Sequence, residues 1–456
     1  MNSPTLSLYD RSVSLVNHNT FDSFCFKFII RIICSLFISQ KFQLGKAKIF
    51  DKQPFFLYHT TMNPKLKVIL LTTFLNTLGI GLLIPVFTFL ISPYVGSDVN
   101  ATALYTGILT SIYALCEFLV APALGVLSDR YGRKPILIFS LLGSAIGYLL
   151  LGIGGSLGVL FLGRIIDGLS AGNISTIFAY VGDISEPKET GKNFGLVGAT
   201  LGMGFLLGPA IGGFLAGFGY NVPMFLAAFL SLVNMLWIIL GVKESHKLEN
   251  RIKTINVKDF NPLGVFFSVN SNVFLKTILI ASFFHFIAFA QLQGNGSVML
   301  KDSLSWLPVN IGAAFFVLGI VDIVMQGFLT EKLIPKYGEK KLATAGLFIT
   351  IFAYGCIALL PILHAPILAY LSFIIFAVGT GLFEPSMASM VSQSASRQDQ
   401  GKAQGSYQSL QSLTRVIGPL TAGFLYIYTP SLPYIVSIVL VLVSVFLFSR
   451  VKIQKA

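Results

Sequence analysis

Seven ionisable side chains stand inside long apolar runs of the chain: Glu117, Arg164, Asp167, His285, Asp322, Glu384 and Arg415. A charge in such surroundings is costly and points to an ion path, a proton relay or a ligand. A carboxylate there can take up a proton and lose its charge. The balance between two conformers then shifts by the difference in their affinity for the charged form. Glu117, Asp167, Asp322 and Glu384 are the candidates for that proton chemistry. Arg164 and Asp167 lie three apart on one helix, so a local structural pair is the alternative. His285 reads more readily as a packed histidine than as a shuttle. Candidates for a substrate path are Asn76, Arg164, His285, Gln291, Gln293, Asn295 and Arg415; the three residues Gln291, Gln293 and Asn295 serve equally well as hydrogen-bonding glue between helices. Glu384 and Arg415 fall at similar depth on consecutive antiparallel helices, roughly 13–17 Å from the helix ends at about 1.5 Å per residue. They are expected to form an ion pair of structural role, which leaves Glu117 or Asp322 as the better proton carrier.

The elements that hold these residues follow from composition. Hydrophobic residues make up 54% of the 456 and charged residues 11%, against roughly 25% charged in a soluble domain. The 41 phenylalanines and 43 glycines suit helices packed closely in lipid. A bilayer core needs about 20 apolar residues in a helix. Such runs read at about Leu66–Leu90, Ala103–Leu127, Pro135–Ile153, Leu157–Val181, Phe194–Phe218 and Pro223–Val242. After a polar stretch they resume at about Phe274–Gln293, Val309–Leu329, Leu342–Leu360, Pro366–Val391, Ala403–Tyr428 and Pro433–Phe448. The expectation is an all-α membrane protein of twelve transmembrane helices, with residues 62–242 and 273–456 as two six-helix bundles and 243–272 as a linker. Residues 1–61 are expected to be a poorly ordered extension without a role in transport. Phe24–Ile38 is too short to span but able to lie at an interface, and Met62 reads as a natural start. Cys25, Cys34, Cys116 and Cys356 form no disulfide framework or metal spacing. No phosphate loop, zinc spacing or serine–histidine pair stands out. No enzyme, cofactor or metal is therefore expected. The formal charge of +13 is read as topology rather than nucleic-acid binding.

The basic residues fall on one side. Arg130, Arg133 and Lys134 follow span two, Lys188 and Lys192 span four, Lys332, Lys336, Lys340 and Lys341 span eight, and Arg397 and Lys402 span ten. Lys243, Lys247, Arg251, Lys253 and Lys258 fill the linker, and Arg450, Lys452 and Lys455 close the chain. The opposite loops hold little beyond Lys301. By the positive-inside rule both bundles begin and end in the cytoplasm. A repeat supports two equivalent halves. Gly208-Pro209 comes seventeen residues after Gly191, and Gly418-Pro419 seventeen after Gly401, with Gly213 and Gly423 at one further offset. Duplicated bundles imply a cavity between them.

Between spans two and three stands Gly125-Val126-Leu127-Ser128-Asp129-Arg130-Tyr131-Gly132-Arg133-Lys134-Pro135, and a weaker copy with Glu331 in the place of the acid follows span eight. An acid at a helix end can meet the unsatisfied N–H groups of a neighbouring helix N-terminus, and the arginines can grip acids on the same face. Asp129, Arg130, Arg133, Asp183, Glu331 and Lys340 are the residues of such a gate. Arg133 is expected to contact Asp183, and Asp129 to approach the start of span eleven, in the outward-open conformer only. Span five carries Gly195, Gly204, Gly208, Pro209, Gly212 and Gly213, small residues that permit close backbone approach around a proline bend.

These segments resemble the signature loop and the antiporter motif of the major facilitator superfamily, over nearly all of Met62–Ala456. The run Phe74–Pro85, Leu162-Gly163-Arg164 with Gly168, and the stretch from Pro223 to Lys247 resemble the tetracycline and multidrug exporters of that superfamily. Asn76 stands where their first span carries aspartate, and Asp322 where they carry a cavity histidine. The resemblance implies the major facilitator fold and proton-coupled efflux of a drug-like or amphipathic small molecule by alternating access. The expected partners are that substrate, protons and the lipid bilayer, with no nucleic acid, for a monomer in the bacterial inner (plasma) membrane. The alternatives are a nutrient or metabolite symporter on the same fold, and a sensor or scaffold that has lost transport.

Overall fold

A computed structural model describes residues 63–252, 260–262, 273–395 and 399–450. The expectations for residues 1–61, including Phe24–Ile38, and for most of the linker lie outside the described residues. Among those described, every regular element is helical.

The first half holds α1 (Pro64–Leu83), α2 (Phe87–Ile91), α3 (Val99–Tyr131), α4 (Arg133–Ile153), α5 (Leu157–Leu169), α6 (Asn173–Ile184), α7 (Thr190–Leu215) and α8 (Val222–Gly241). The second holds α9 (Val273–Leu304), α10 (Pro308–Val324), α11 (Thr330–Tyr337), α12 (Glu339–Ala358), α13 (Leu360–Leu363), α14 (Pro366–Gln393), α15 (Gln400–Tyr426) and α16 (Leu432–Ser449). Their starts are written locally. Pro64, Pro223, Pro308, Pro366 and Pro433 sit in first turns, where a missing N–H costs nothing. Asn63, Asp98 and Ser156 cap α1, α3 and α5 by accepting backbone N–H bonds at 3.0, 3.0 and 3.3 Å.

Eleven stretches of described helix are long and apolar enough to cross a membrane. The one long helix outside that group is α15, whose first half reads Gln400, Lys402, Gln404, Ser406, Gln408, Ser409, Gln411, Ser412, Thr414 and Arg415. Such a helix cannot face lipid all round, and it is placed against α3 and α9, where the two halves meet. In the first half α1 packs on α7 and α8, and α4 on α5 and α8. In the second α9 packs on α15 and α16, and α12 on α14 and α16. The halves meet along α3–α15 and α7–α10.

Two departures from the sequence reading have clear causes. The expected first and fourth spans are each broken, at Ile84–Val86 by Pro85 and at Ser170–Gly172, as proline and glycine allow. The seventh runs past Gln293 to Leu304, since the polar, glycine-bearing stretch Gly294–Ser303 is buried by neighbouring helices instead of forming a loop.

Candidate functional site

In the first half two of the buried charges are paired. Arg164 and Asp167, 5% and 2% exposed, approach to 3.4 Å on α5. The Ser144 hydroxyl on α4 donates to Asp167 at 2.8 Å. The guanidinium of Arg164 lies over the Tyr113 ring at 4.1 Å and near Phe87 at 5.4 Å, a cation–π setting that offsets lost hydration. Small residues create the space: a side chain at Gly147 would overlap Asp167. Asn76 accepts a 2.6 Å bond from the Asn173 amide and so ties α1 to α6.

The second half leaves its charges apart. Asp322 on α10 accepts from the Gln326 amide with both oxygens at 2.9 Å. Glu384, half-buried on α14, feels the charges of both Asp322 and Arg415. The expected Glu384–Arg415 ion pair is not among the ion pairs of the described residues, all of which are closer than 4.0 Å. Equal depth did not make a pair because α15 packs mainly on α3 and α9 rather than on α14. Its exposed Arg415 acts on Glu117 of α3 as well as on Glu384. Arg415 is therefore near enough to carboxylates of both halves to act on each through its charge, without an ion pair to either.

The amides and the histidine divide. Gln291 donates to the Thr421 hydroxyl at 3.1 Å and accepts from Ser437 at 2.7 Å, joining α9, α15 and α16. Gln293 is exposed. His285 and Asn295 have no accessible surface and no hydrogen-bond partner. The His285 ring packs on Phe383 at 4.1 Å and beside Phe286 at 5.8 Å. In this conformer neither faces an open path.

At the basic end, Arg133 binds Asp129 at 2.5 Å, Asp183 at 3.1 Å and the Ser128 hydroxyl at 3.1 Å. The expected Arg133–Asp183 contact is present here, yet not in the outward-open conformer to which the sequence reading tied it, since the halves are seated together at the face away from the basic loops. Asp129 is held within its own half by Arg133. Glu244 completes the cluster. It accepts the N–H groups of Arg133 and Lys134 at 2.8 and 3.1 Å, which neutralises the start of α4. Ser245 donates to Asp183 at 2.8 Å. Gly132, at φ +105°, must be glycine twice over, since a side chain would also strike Glu244. Sequence reasoning did not bring Glu244 into this cluster. The signal was an acid just past the sixth span, on the same face as an uncapped helix start. Arg130 rests near the Tyr131 ring at 5.5 Å. In the second copy Glu331 is exposed and Lys340 donates to the Ser449 carbonyl at 3.2 Å. There Glu339 takes the bridging role, accepting from Ser389 and Gln393 at 3.1 and 2.8 Å.

The span-five glycines have separate tasks. Gly204, Gly208 and Gly212 each lie against the α1 backbone or side chains from Thr77 to Leu82. Gly213 lies against α10, where a Cβ would come 2.5 Å from the Pro308 carbonyl, and Gly195 has open space. A mirrored seat joins the halves. A side chain at Gly312 would overlap the Pro209 carbonyl, and one at Gly107 the Pro419 carbonyl. These seats lie at the ends of the helices away from the basic loops. Towards the basic loops, Gly125, Gly191, Gly195, Gly198, Gly202 and Gly401 have open space. The halves are thus seated against each other at the face away from the basic loops.

A bundle of membrane-length helices with buried charges and a proline–glycine seam between its halves defines a membrane transport protein. The family model of the Major Facilitator Superfamily matches residues 69–419 and 373–455, and the chain belongs to that superfamily of transporters rather than to an enzyme family. It is 33% identical over 373 residues to the tetracycline resistance protein, class H, of Pasteurella multocida, covering 81% of this chain and 90% of that one. To the class C protein of Escherichia coli it is 34% identical over 369 residues, covering 80% and 90%. Among solved structures it is similar to a bacterial homologue of the human lysosomal transporter Spinster, in an inward-facing and occupied conformation, with TM-score 0.70, 15% identity and coverage of 88% and 98%. The human organic anion transporter MFSD10 is similar with TM-score 0.64, 22% identity and coverage of 84% and 99%.

Proposed function

We propose that the chain is a proton-driven exporter of a drug-like or amphipathic small molecule, working by alternating access. The observation that carries this reading is identity of about a third, over four-fifths of the chain, to two tetracycline resistance proteins. It is joined by the seating of Gly204, Gly208, Gly212 and Gly213 against α1 and α10. In this reading α15 is span eleven and brings the number of spans to twelve, residues 62–242 and 273–456 are the two bundles, and residues 243–272 link them. Both ends face the cytoplasm of a bacterial cell, and the protein is a monomer. The influence of the Arg415 charge on both Glu117 and Glu384 supports a coupling centre at the meeting of the halves. Protonation of either carboxylate would remove one of the two negative charges that act on Arg415, which changes the balance between the conformers. Substrate contacts are assigned to the exposed Gln293 and Arg415, and the coupling proton to Glu117, Glu384 or Asp322.

The test is the direction of flux. In everted vesicles with an acid interior, a labelled tetracycline or other resistance substrate should accumulate, and collapse of the pH gradient should abolish accumulation. Loss of substrate from preloaded vesicles on acidification of the interior would instead establish a symporter.

A further inference from the structure

Lys301 is the basic residue that the loop charges do not absorb, since it stands at the face opposite the basic loops. It lies in the last turn of α9. Its ammonium rests over the ring of Phe89, 4.8 Å from the centroid. Phe89 belongs to α2, in the other half of the molecule, yet it is buried within the hydrophobic cluster of the second half. Behind it the Tyr220 ring packs at 5.1 Å. One turn earlier on α9, the Ser297 hydroxyl donates to the Ile84 carbonyl at 2.9 Å, again across the halves. The neighbouring acid is occupied elsewhere, because Asp302 accepts a 2.7 Å bond from the Tyr426 hydroxyl. No carboxylate of the described residues forms an ion pair with Lys301.

We propose that Lys301 and Phe89 form a reversible clasp between the two halves that holds the face opposite the basic loops shut, making both positioning residues for the transport cycle. The chemistry suits a contact that must break once per cycle. A buried ion pair would leave a stranded charge each time the face opened. An ammonium on an aromatic face near the membrane edge gains a modest attraction when closed, and regains water when open. Ser297 adds a bond whose acceptor, Ile84, lies in the segment freed by Pro85. The clasp is independent of the identity of the cargo, so it stands or falls separately from the proposed efflux.

The experiment measures opening directly. Cys25, Cys34, Cys116 and Cys356 are replaced by serine, and spin labels are placed at Asn100→Cys and Asn310→Cys. These are exposed first-turn positions of α3 and α10 on the same face. Pulsed dipolar spectroscopy of the full chain in lipid nanodiscs then gives the populations of short and long distances. Lys301→Met should raise the long-distance population relative to the short one by about 2–30-fold, the worth of one cation–π contact. Phe89→Leu should do the same, and the two together should add little more. Lys301→Arg should stay near the parent. An unchanged distribution in Lys301→Met, or fully multiplying effects in the double variant, would overturn the clasp. Should Lys301→Met not reach the membrane, Phe89→Leu against Lys301→Arg decides the question by the same distances.

Discussion

In the first half of the molecule Arg164 is locked to Asp167, which also accepts from Ser144, and the basic end is tied by Arg133, Asp183 and Glu244. In the second half Asp322, Glu384 and Arg415 form no such pair. Buried polar groups without partners occur in both halves, among them the Thr72, Ser111 and Ser140 hydroxyls in the first and His285, Asn295 and the Tyr407 hydroxyl in the second. A buried charge that is paired and hydrogen-bonded fixes a structure, whereas one left between alternatives can respond to a proton. The contrast supports the proposal that the first half is scaffold and the second carries the moving chemistry, with Glu117 as the point where they touch.

The largest effect should come from breaking the scaffold pair. Arg164→Met alone leaves Asp167 buried and unpaired, at a cost of about 3–5 kcal/mol. Folded yield by fluorescence-detected size exclusion should collapse for Arg164→Met and for Asp167→Leu, and recover in the double variant. Singles that fold as well as the parent would erase the contrast between the halves. Next is the seam. Gly312→Ala forces a methyl into the Pro209 carbonyl, and overpacking of this kind costs about 1–3 kcal/mol. The closed seam should loosen, read as faster labelling by an impermeant thiol reagent of a cysteine placed on that face. The smallest effect should come from Gly195→Ala. With open space around it, and helix propensity in favour of alanine by about 1 kcal/mol, folded yield should hold or rise slightly. A loss of transport there with yield intact would show that Gly195 packs in the other conformer.

The fold was legible in the sequence because lipid forces long apolar runs and because the glycine–proline repeat at Gly208-Pro209 and Gly418-Pro419 marks a duplication. The local pairing of Arg164 with Asp167 was legible too, since three residues of helix bring two side chains together. The Glu384–Arg415 relation was not. Depth along a helix can be counted, but rotation about its axis is set by which neighbours it packs on, and α15 turns to α3 and α9. For the same reason the bond from Ser297 to Ile84 and the role of Glu244 were hidden: each joins residues more than a hundred positions apart, and their partners are chosen by tertiary packing alone.

The most direct test of the division between scaffold and coupling is the pH gradient of everted vesicles on addition of substrate. Addition of tetracycline, or of the compound that best accumulates, to vesicles with the parent chain should dissipate the gradient. Of Glu117→Gln, Asp322→Asn and Glu384→Gln, at least one should insert and fold at parental yield yet leave the gradient standing. Dissipation at the parental rate by all three would contradict the account.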